Sequence, residues 1–391
     1  MIQKRIAITG MGSISSLGHK KEDVWLAYKQ NASAIKPVAF AGDPSPVASL
    51  SETAHVQIER LREETSFEKL DKSTLLAIHA TRQAVTQAGW KKNDKESGIN
   101  ISSSRGATEL FEKYFEAYSK EDQRLSPLSS PSTTLGNLSS WVAFDQQING
   151  PAISHSITCS SSLHSIANAF AWINSGMCTR FITGGSEAPL TPFTLAQMKA
   201  LRIYSSHNND FACSPLMFGK TKNDMVLGEG AASFCLEQAE VCAKNKVLGY
   251  VASVGYATEL IKHSTSVDPN GEGLYQSMKM ALKQAGNPNI DTIIMHAPGT
   301  IKGDQSELKA IERLFGDKTP NLFSNKWKIG HTLGASGALS MELAILMLQH
   351  KEFIDFPYPT IITNTQKTPK RILVNALGFG GNAVSVLIVK D

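Results

Sequence analysis

Strand-like and helix-like patterns alternate along this chain from end to end, and that alternation restricts it to a narrow class of folds. RIAITGMG (5–12) reads as a strand and turn, KLDKSTLLAIHATRQAVTQAG (69–89) as a long amphipathic helix, and INISSS (99–104) as the next strand. LGNLSSWVAFDQQIN (135–149) precedes a strand–helix pair centred on Cys159, and RFITGG (180–185) follows it. A second series begins near residue 247 with LGYVASVGYA. It continues through a helix at 272–286, a strand and loop TIIMHAPGT (292–300), then QSELKAIERLF, NLFSNK and ASGALSMELAILMLQ. The last stretch, ILVNALGFGGNAVSVLIV (372–389), reads as two strands around a glycine hinge. Repeated strand–helix units predict an α/β protein with parallel or mixed sheets covered by helices. The two series, 1–245 and 246–391, share a rough element order without a clear sequence repeat. SPLSSPSTTLG (126–136) reads as a loop inside the first series.

The chain has 391 residues, 41% hydrophobic and 19% charged, enough for a large core and one or two domains. A net charge of +4 makes no case for nucleic-acid binding, though a mildly basic surface suits an acidic protein partner. No stretch approaches the roughly 18 apolar residues of a membrane span. The apolar run of the opening MIQKRIAITG is too short for a secretory signal and reads as the first strand. Five cysteines, odd in number and never at C-x-x-C spacing, argue against a disulfide framework or a zinc knuckle. The expectation is a soluble cytosolic protein.

One cysteine stands apart. Residues Ala152 to Thr158 alternate like a strand, while Leu163, Ile166, Ala167 and Phe170 follow helical spacing. Cys159 therefore falls at a strand-to-helix junction, where unpaired N–H groups favour a thiolate and small neighbours leave room for a substrate. Cys178, Cys235 and Cys242 read as ordinary buried thiols. His296 ends an apolar strand, at the edge where crevices open in parallel sheets. Lys326 follows another strand end, with Gly330-His331 and a small-residue helix start after it. Alone, either histidine reads more readily as a structural residue than as a catalytic one. GFGG (378–381) offers backbone N–H groups around one large side chain, or a plain turn. GMGSISSLG has serine at position 15 where a dinucleotide fingerprint needs glycine, and no phosphate-binding loop motif occurs.

Taken together, SITCSSSLHSI, FITGGSEAPLTPFTLAQMKALRIYS, VLGEGAA, His296 to Asp304, NKWKIGHTLGASGA and NALGFGGN resemble, in order, the elongating β-ketoacyl-acyl-carrier-protein synthases of the Cys-His-His type. The resemblance covers nearly the whole chain. It implies a thiolase-like fold with two similar halves in a layered αβαβα arrangement, usually dimeric. It implies that Cys159 takes an acyl group from a carrier protein's phosphopantetheine as a thioester. His296 and His331 would hydrogen-bond the malonyl thioester carbonyl and stabilise the enolate left by decarboxylation. The Cys159 and Phe379 amides would form the oxyanion hole, with Phe379 gating the acyl pocket and Lys326 supporting the electrostatics around His331. No metal or organic cofactor is implied beyond the phosphopantetheine that carries the substrates.

The chain also departs from the family pattern. His296-Ala297-Pro298-Gly299-Thr300 stands for H-G-T-G-T, and Met217-Phe218-Gly219 for Pro-Phe-Asp. Lys222-Asn223-Asp224-Met225 replaces Arg-Asp-Gly-Phe, and Ser340 lies where a glutamate is usual, with Glu342 two places on. These changes point toward a specialised fatty-acid, polyene or polyketide-type synthase. Arg105 aligns with the far end of the acyl pocket, where it would shorten the pocket or select a polar or aryl chain end; a solvent-facing arginine in a shifted register is the other reading. Lys69, Lys72, Lys199 and Arg202 resemble basic positions that dock acidic carrier proteins, and read otherwise as solvated cations. The alternatives are a chain-length-factor-like subunit, which usually lacks the cysteine, or a thiolase, which needs a second cysteine near the C-terminal hinge. The partner in the dimer, identical or a second ketosynthase-like chain, stays open.

Overall fold

The computed structural model describes residues 5–40, 42–92, 97–120, 125–207, 210–242, 247–260, 267–365 and 368–390. In chain order the strands are β1 Ile6–Ser15, β2 Lys36–Phe40, β3 Asp43–Ala48, β4 Ser97–Ser102, β5 Ala152–Ile153, β6 Arg180–Glu187, β7 Leu227–Gly228, β8 Gly230–Gln238, β9 Gly249–Thr258, β10 Thr292–Ile294, β11 Asn321–Phe323, β12 Arg371–Gly378 and β13 Asn382–Val389. Ten of them form one mixed sheet in the order β11-β10-β12-β13-β9-β1-β8-β6-β4-β5, and β2-β3-β7 form a small second sheet.

The large sheet repeats itself. Outward from the central β9–β1 pairing, the early series runs β1, β8, β6, β4, β5 and the late series β9, β13, β12, β10, β11. In chain rank both read first, fifth, fourth, second, third. The senses agree as well: β1–β8 and β8–β6 are antiparallel and β6–β4–β5 parallel, matching β9–β13, β13–β12 and β12–β10–β11. The rough element order of the sequence thus hides a full duplication of topology.

Helices fill three layers. Helices Ser161–Ser175 and Ser336–His350 each pack on strands of both series, so they lie between the two halves of the sheet. Lys72–Ala88 covers the outer face of β1 and β8, and Glu272–Gln284 that of β9 and β13. The result is the αβαβα layering of the thiolase-like fold.

Period-2 alternation explains the strands between these layers. On β12, Ile372 and Val374 join the central core while Leu373 joins the outer one. On β13, Val384, Val386 and Ile388 face inward, with Ala383 and Leu387 outward. Because both faces are buried, these strands read as almost continuous apolar runs. The central helix Ser336–His350 is apolar all round for the same reason, with every residue from Ser336 to Leu348 buried.

Three expectations change. RIAITGMG does not turn at its glycines: β1 runs through to Ser15. A Cβ on Gly10 would sit 2.0 Å from the Ala84 carbonyl oxygen and one on Gly12 2.2 Å from that of Ala80, so these glycines let the helix Lys72–Ala88 lie directly on the strand. The strand expected over 152–158 closes after two residues, at β5. The serine-rich loop at 126–136 contains the short helix Ser129–Thr133. Among the described residues no helix is long and apolar enough to cross a membrane.

Candidate active site

The chain between β5 and Cys159 is shaped by side chains instead of a strand ladder. Ser156 Oγ donates to the Ser104 carbonyl oxygen at 2.8 Å, and Thr158 stands at φ +50°. That left-handed step reverses the chain immediately before the cysteine. The Ile157 N–H donates to Ser161 Oγ at 2.9 Å, and Ser161 Oγ donates to the Thr158 carbonyl oxygen at 2.6 Å. The two bonds lock the turn onto the first residue of the helix Ser161–Ser175.

Phe379 reaches the same place from the other half of the chain. The β12–β13 hairpin turns at Gly380 and Gly381, with φ +91° and +78°. Thr158 Oγ1 donates to the Phe379 carbonyl oxygen at 3.1 Å, and the Phe379 amide hydrogen-bonds the Cys159 sulfur. A Cβ at Gly378 would lie 2.1 Å from Thr158 Oγ1, so only glycine permits this approach. The Phe379 ring is 40% exposed at the rim.

His296 follows β10 and Lys326 follows β11, at the carboxyl ends of adjacent parallel strands. Their loops meet a third segment, because the His331 N–H donates to the Val226 carbonyl oxygen at 2.6 Å. The two imidazoles stand edge to face, with centroids 5.2 Å apart and planes at 84°. Lys326 Nζ lies 3.5 Å from the Met295 carbonyl oxygen. The lysine charge is felt by Cys159 and by both histidines, which joins the four residues in one electrostatic unit.

Burial governs the protonation states. It drives His331 down to about 3 and His296 well below its ordinary value, with Lys326 adding to both, so both rings are neutral at pH 7. Nδ1 of each ring is enclosed without a partner. The tautomer that strands no buried donor carries its proton on Nε2, making each ring a neutral donor there. Lys326 falls to about 8 through burial, opposed first by Glu307.

Cys159 departs from expectation. Burial first, and then the Glu187 carboxylate, push its thiol up to about 12, against Lys326, the Phe379 amide and Arg105. The thiol sits in an apolar cluster with Leu195, Met198, Tyr204 and Leu333, and that enclosure outweighs the helix start. The resting group is therefore a thiol.

Two carboxylates that sequence reasoning passed over hold the site together. Glu307, on the helix Ile301–Phe315, accepts the His296 N–H at 3.0 Å, the Ala297 N–H at 2.8 Å and Asn375 Nδ2 at 3.0 Å. Glu187, at the end of β6, accepts Ser103 Oγ, the amides of Ser104 and Arg105, and the Gly334 amide, all within 2.7–3.0 Å. It ties the 103–105 loop to the segment after His331. Spacing was the available signal: Asp304, Glu307 and Ile311 fall on one buried helical face.

The remaining candidates divide. Arg105 is partly buried and its Nη1 donates to Thr194 Oγ1 at 3.2 Å, on the helix that supplies Leu195 and Met198. Lys72 is paired with Glu229 at 2.7 Å, and Lys199 with Asp43 and with Ser45 Oγ at 2.8 Å, so neither ammonium is a free surface charge. Lys69 and Arg202 are exposed. Asn223 bridges the Arg202 carbonyl oxygen and the Ile301 amide, Met217 pairs with Thr360, and Ser340 Oγ donates to Asn325 Oδ1 at 3.2 Å. Glu342 does not take over the missing glutamate's place beside Asn325; it bonds Ser13 on β1 instead.

Comparison with known proteins bears on this arrangement. Residues 3–241 match the model of the beta-ketoacyl synthase N-terminal domain and residues 248–356 that of its C-terminal domain. The chain belongs to the beta-ketoacyl synthase family. Among the synthase's curated relatives, 3-oxoacyl-[acyl-carrier-protein] synthase 2 of Staphylococcus aureus (strain N315) is 30% identical over 98% of each chain. Two similar solved structures are the ishigamide ketosynthase/chain length factor (TM-score 0.89, 21% identity, all of both chains) and a type II polyketide synthase ketosynthase complex, AntDE:AntF (TM-score 0.86, 20% identity, all of both chains). At that identity the two structures speak to the fold of the synthase, which they share along its full length.

Proposed function

We propose that this synthase catalyses decarboxylative Claisen condensation of a malonyl-acyl-carrier protein with an acyl group held on Cys159, giving a 3-oxoacyl-acyl-carrier protein. The observation that carries the reading is the meeting of an enclosed thiol, the Phe379 amide and two neutral imidazoles around one buried lysine. The Cys159 sulfur attacks the acyl thioester, and the sulfhydryl proton passes to the departing phosphopantetheine thiolate. The oxyanion forms against the amides of Cys159 and Phe379. Malonyl thioester then binds with its carbonyl oxygen on Nε2 of His296 and His331. Carbon dioxide leaves, the two donors hold the enolate, and its carbon attacks the acyl-Cys159 carbonyl to release the thiolate. Each donor contributes roughly 2.7–4 kcal/mol if oxyanion-hole magnitudes transfer. Neutral donors suit this step, because an imidazolium would protonate the enolate it must stabilise.

We assign the nucleophile to a half spanning 1–245 and the histidines, lysine and glycine hinge to a half spanning 246–391; the duplicated strand order supports this division. The synthase works in the cytoplasm, in keeping with its unpaired cysteines, and as a dimer. The helix Thr108–Lys120 supports the dimer, since Phe111, Phe115 and Tyr118 leave an apolar stripe exposed. Its partner is a second copy or a ketosynthase-like chain, as in the structures described with a chain length factor. The acyl donor is a carrier protein, as in the complex described with one. Of the basic docking residues, Lys69 and Arg202 serve it better than the paired Lys72 and Lys199. The intact Cys159 favours the condensing enzyme over a non-catalytic chain-length factor.

Intact-protein mass after incubation with acyl-carrier proteins tests the assignment. Wild type gains the acyl mass, Cys159→Ala gains none, and His296→Ala gains it but forms no 3-oxoacyl product from malonyl-carrier protein. Acylation that survives Cys159→Ala overturns it.

A further inference from the structure

Away from the histidines and Lys326, one side of the Cys159 surroundings is apolar and carries a single charged side chain, Arg105. Leu195, Met198, Tyr204 and Leu333 share one apolar cluster with Cys159, a setting that suits an alkyl chain attached to the sulfur. Thr194, fully buried and next to Leu195, holds the Arg105 guanidinium through Nη1 at 3.2 Å. That guanidinium is close enough for its charge to act on the Cys159 thiol.

Its position is set by the backbone. Glu187 accepts the Arg105 N–H at 3.0 Å, Gly106 N–H donates to Ser103 Oγ at 2.9 Å, and Gly106 turns the chain at φ +69°. Glu187 meets the Arg105 backbone and not its side-chain charge: among the described residues the guanidinium forms no ion pair, and its hydrogen bond is to Thr194 Oγ1. The acidic group on this side, Glu112, bonds Thr191 Oγ1 at 2.6 Å, and Thr191 stands between it and Thr194 at 3.0 Å. A guanidinium has five N–H donors and desolvates at a cost unless acceptors meet them. A plain alkyl end pressed against it would displace water and return nothing.

We propose that Arg105 determines the specificity of the acyl site, selecting chains whose distal end carries an oxygen acceptor, a carboxylate in particular, over unsubstituted alkyl chains of the same length. This rests on the acyl-transfer reading above. The apolar cluster receives the middle of the chain and the guanidinium, braced by Thr194, receives its end in a charge-assisted hydrogen bond.

The test uses two carrier-protein thioesters of equal chain length, a medium-chain alkanoate and its ω-carboxy counterpart, with the rate of mass gain on Cys159 read for each. Wild type is expected to load the ω-carboxy chain at least about tenfold faster. Arg105→Met should abolish or reverse that preference, and Arg105→Lys should keep part of it. Unchanged thermal unfolding of both variants confirms that the fold is intact. An unchanged ratio in Arg105→Met, or a wild type that prefers the alkyl chain, overturns this inference and leaves the acyl-transfer reading standing. If neither donor loads while iodoacetamide still alkylates Cys159, the acyl-transfer reading falls and this inference falls with it.

Discussion

Thr158 Oγ1 donates to the carbonyl oxygen of Phe379 at 3.1 Å, joining residues 221 positions apart. Through this bond the turn that carries Cys159 and the hairpin that carries Phe379 become one object. Gly378 makes the contact possible, since a Cβ there would fall 2.1 Å from Thr158 Oγ1 and 2.7 Å from the Ile157 carbonyl oxygen. Gly378→Ala is expected to push the hairpin away from Cys159. Overpacking of this kind costs about 1–3 kcal/mol of stability, and the acylation rate should fall further than the stability loss explains. Equal acylation rates in stopped-flow mass measurements would refute the contact's role.

Glu307 should matter for the second half-reaction and little for the first. It accepts the amides of His296 and Ala297 and Asn375 Nδ2, and its removal takes an acceptor from three buried donors at about 1–3 kcal/mol each. Glu307→Ala is therefore expected to lower the melting temperature and to slow condensation at least about tenfold, with acylation of Cys159 nearly unchanged. Single-turnover assays separate the two steps; an equal loss in both would show that Glu307 only supports the fold.

Burial first, and then Lys326, hold down the acidic limit expected for condensation. The Lys326 charge lowers the ionisation of both His331 and His296. Lys326→Met removes that charge, so both histidines regain protons at a higher pH, and the acidic limb of the condensation profile should move upward. The same change withdraws a charge that favours the Cys159 thiolate, so acylation should slow as well. An acidic limb that stays in place, measured on enzyme already acylated, would remove Lys326 from this role.

Glu342 is a buried carboxyl whose Oε2 has no partner, and burial raises it from 4.5 to about 7, with Ser13 opposing. Below the ordinary value both folded and unfolded chains hold the proton, and the group adds no penalty. As pH rises from about 4.5 to about 7, the unfolded chain releases its proton first and folding stability falls. Glu342→Gln avoids this loss. Its melting temperature should exceed wild type by more at pH 8 than at pH 5, as calorimetry at the two values can check; a constant gap contradicts the assignment.

Most elements were legible because burial leaves a periodic mark. The helix expected over 69–89 is Lys72–Ala88, and the final strands with their glycine hinge are β12 and β13. The strand expected before Cys159 misled for a physical reason: alternating Ser, Ile and Thr suit a sheet, yet here the serine hydroxyls bond the backbone and replace the ladder. Glu187 and Glu307 escaped notice because a carboxylate in a strand or a helix looks solvated until the amides that surround it are known.

The residue types and their order determined by themselves that this chain alternates strand and helix, that Cys159 lies just before a helix, and that His296 and Lys326 follow strands. Only the tertiary structure decided the rest. The matched strand order of the two series depends on pairings between segments far apart in sequence, which local periodicity does not encode. The acidity of Cys159 was likewise out of reach, because a helix start lowers it while enclosure by Leu195, Met198 and Leu333 and the nearby Glu187 raise it. Those neighbours come from three separate segments, and the balance between charge and desolvation exists only once folding has brought them around the sulfur.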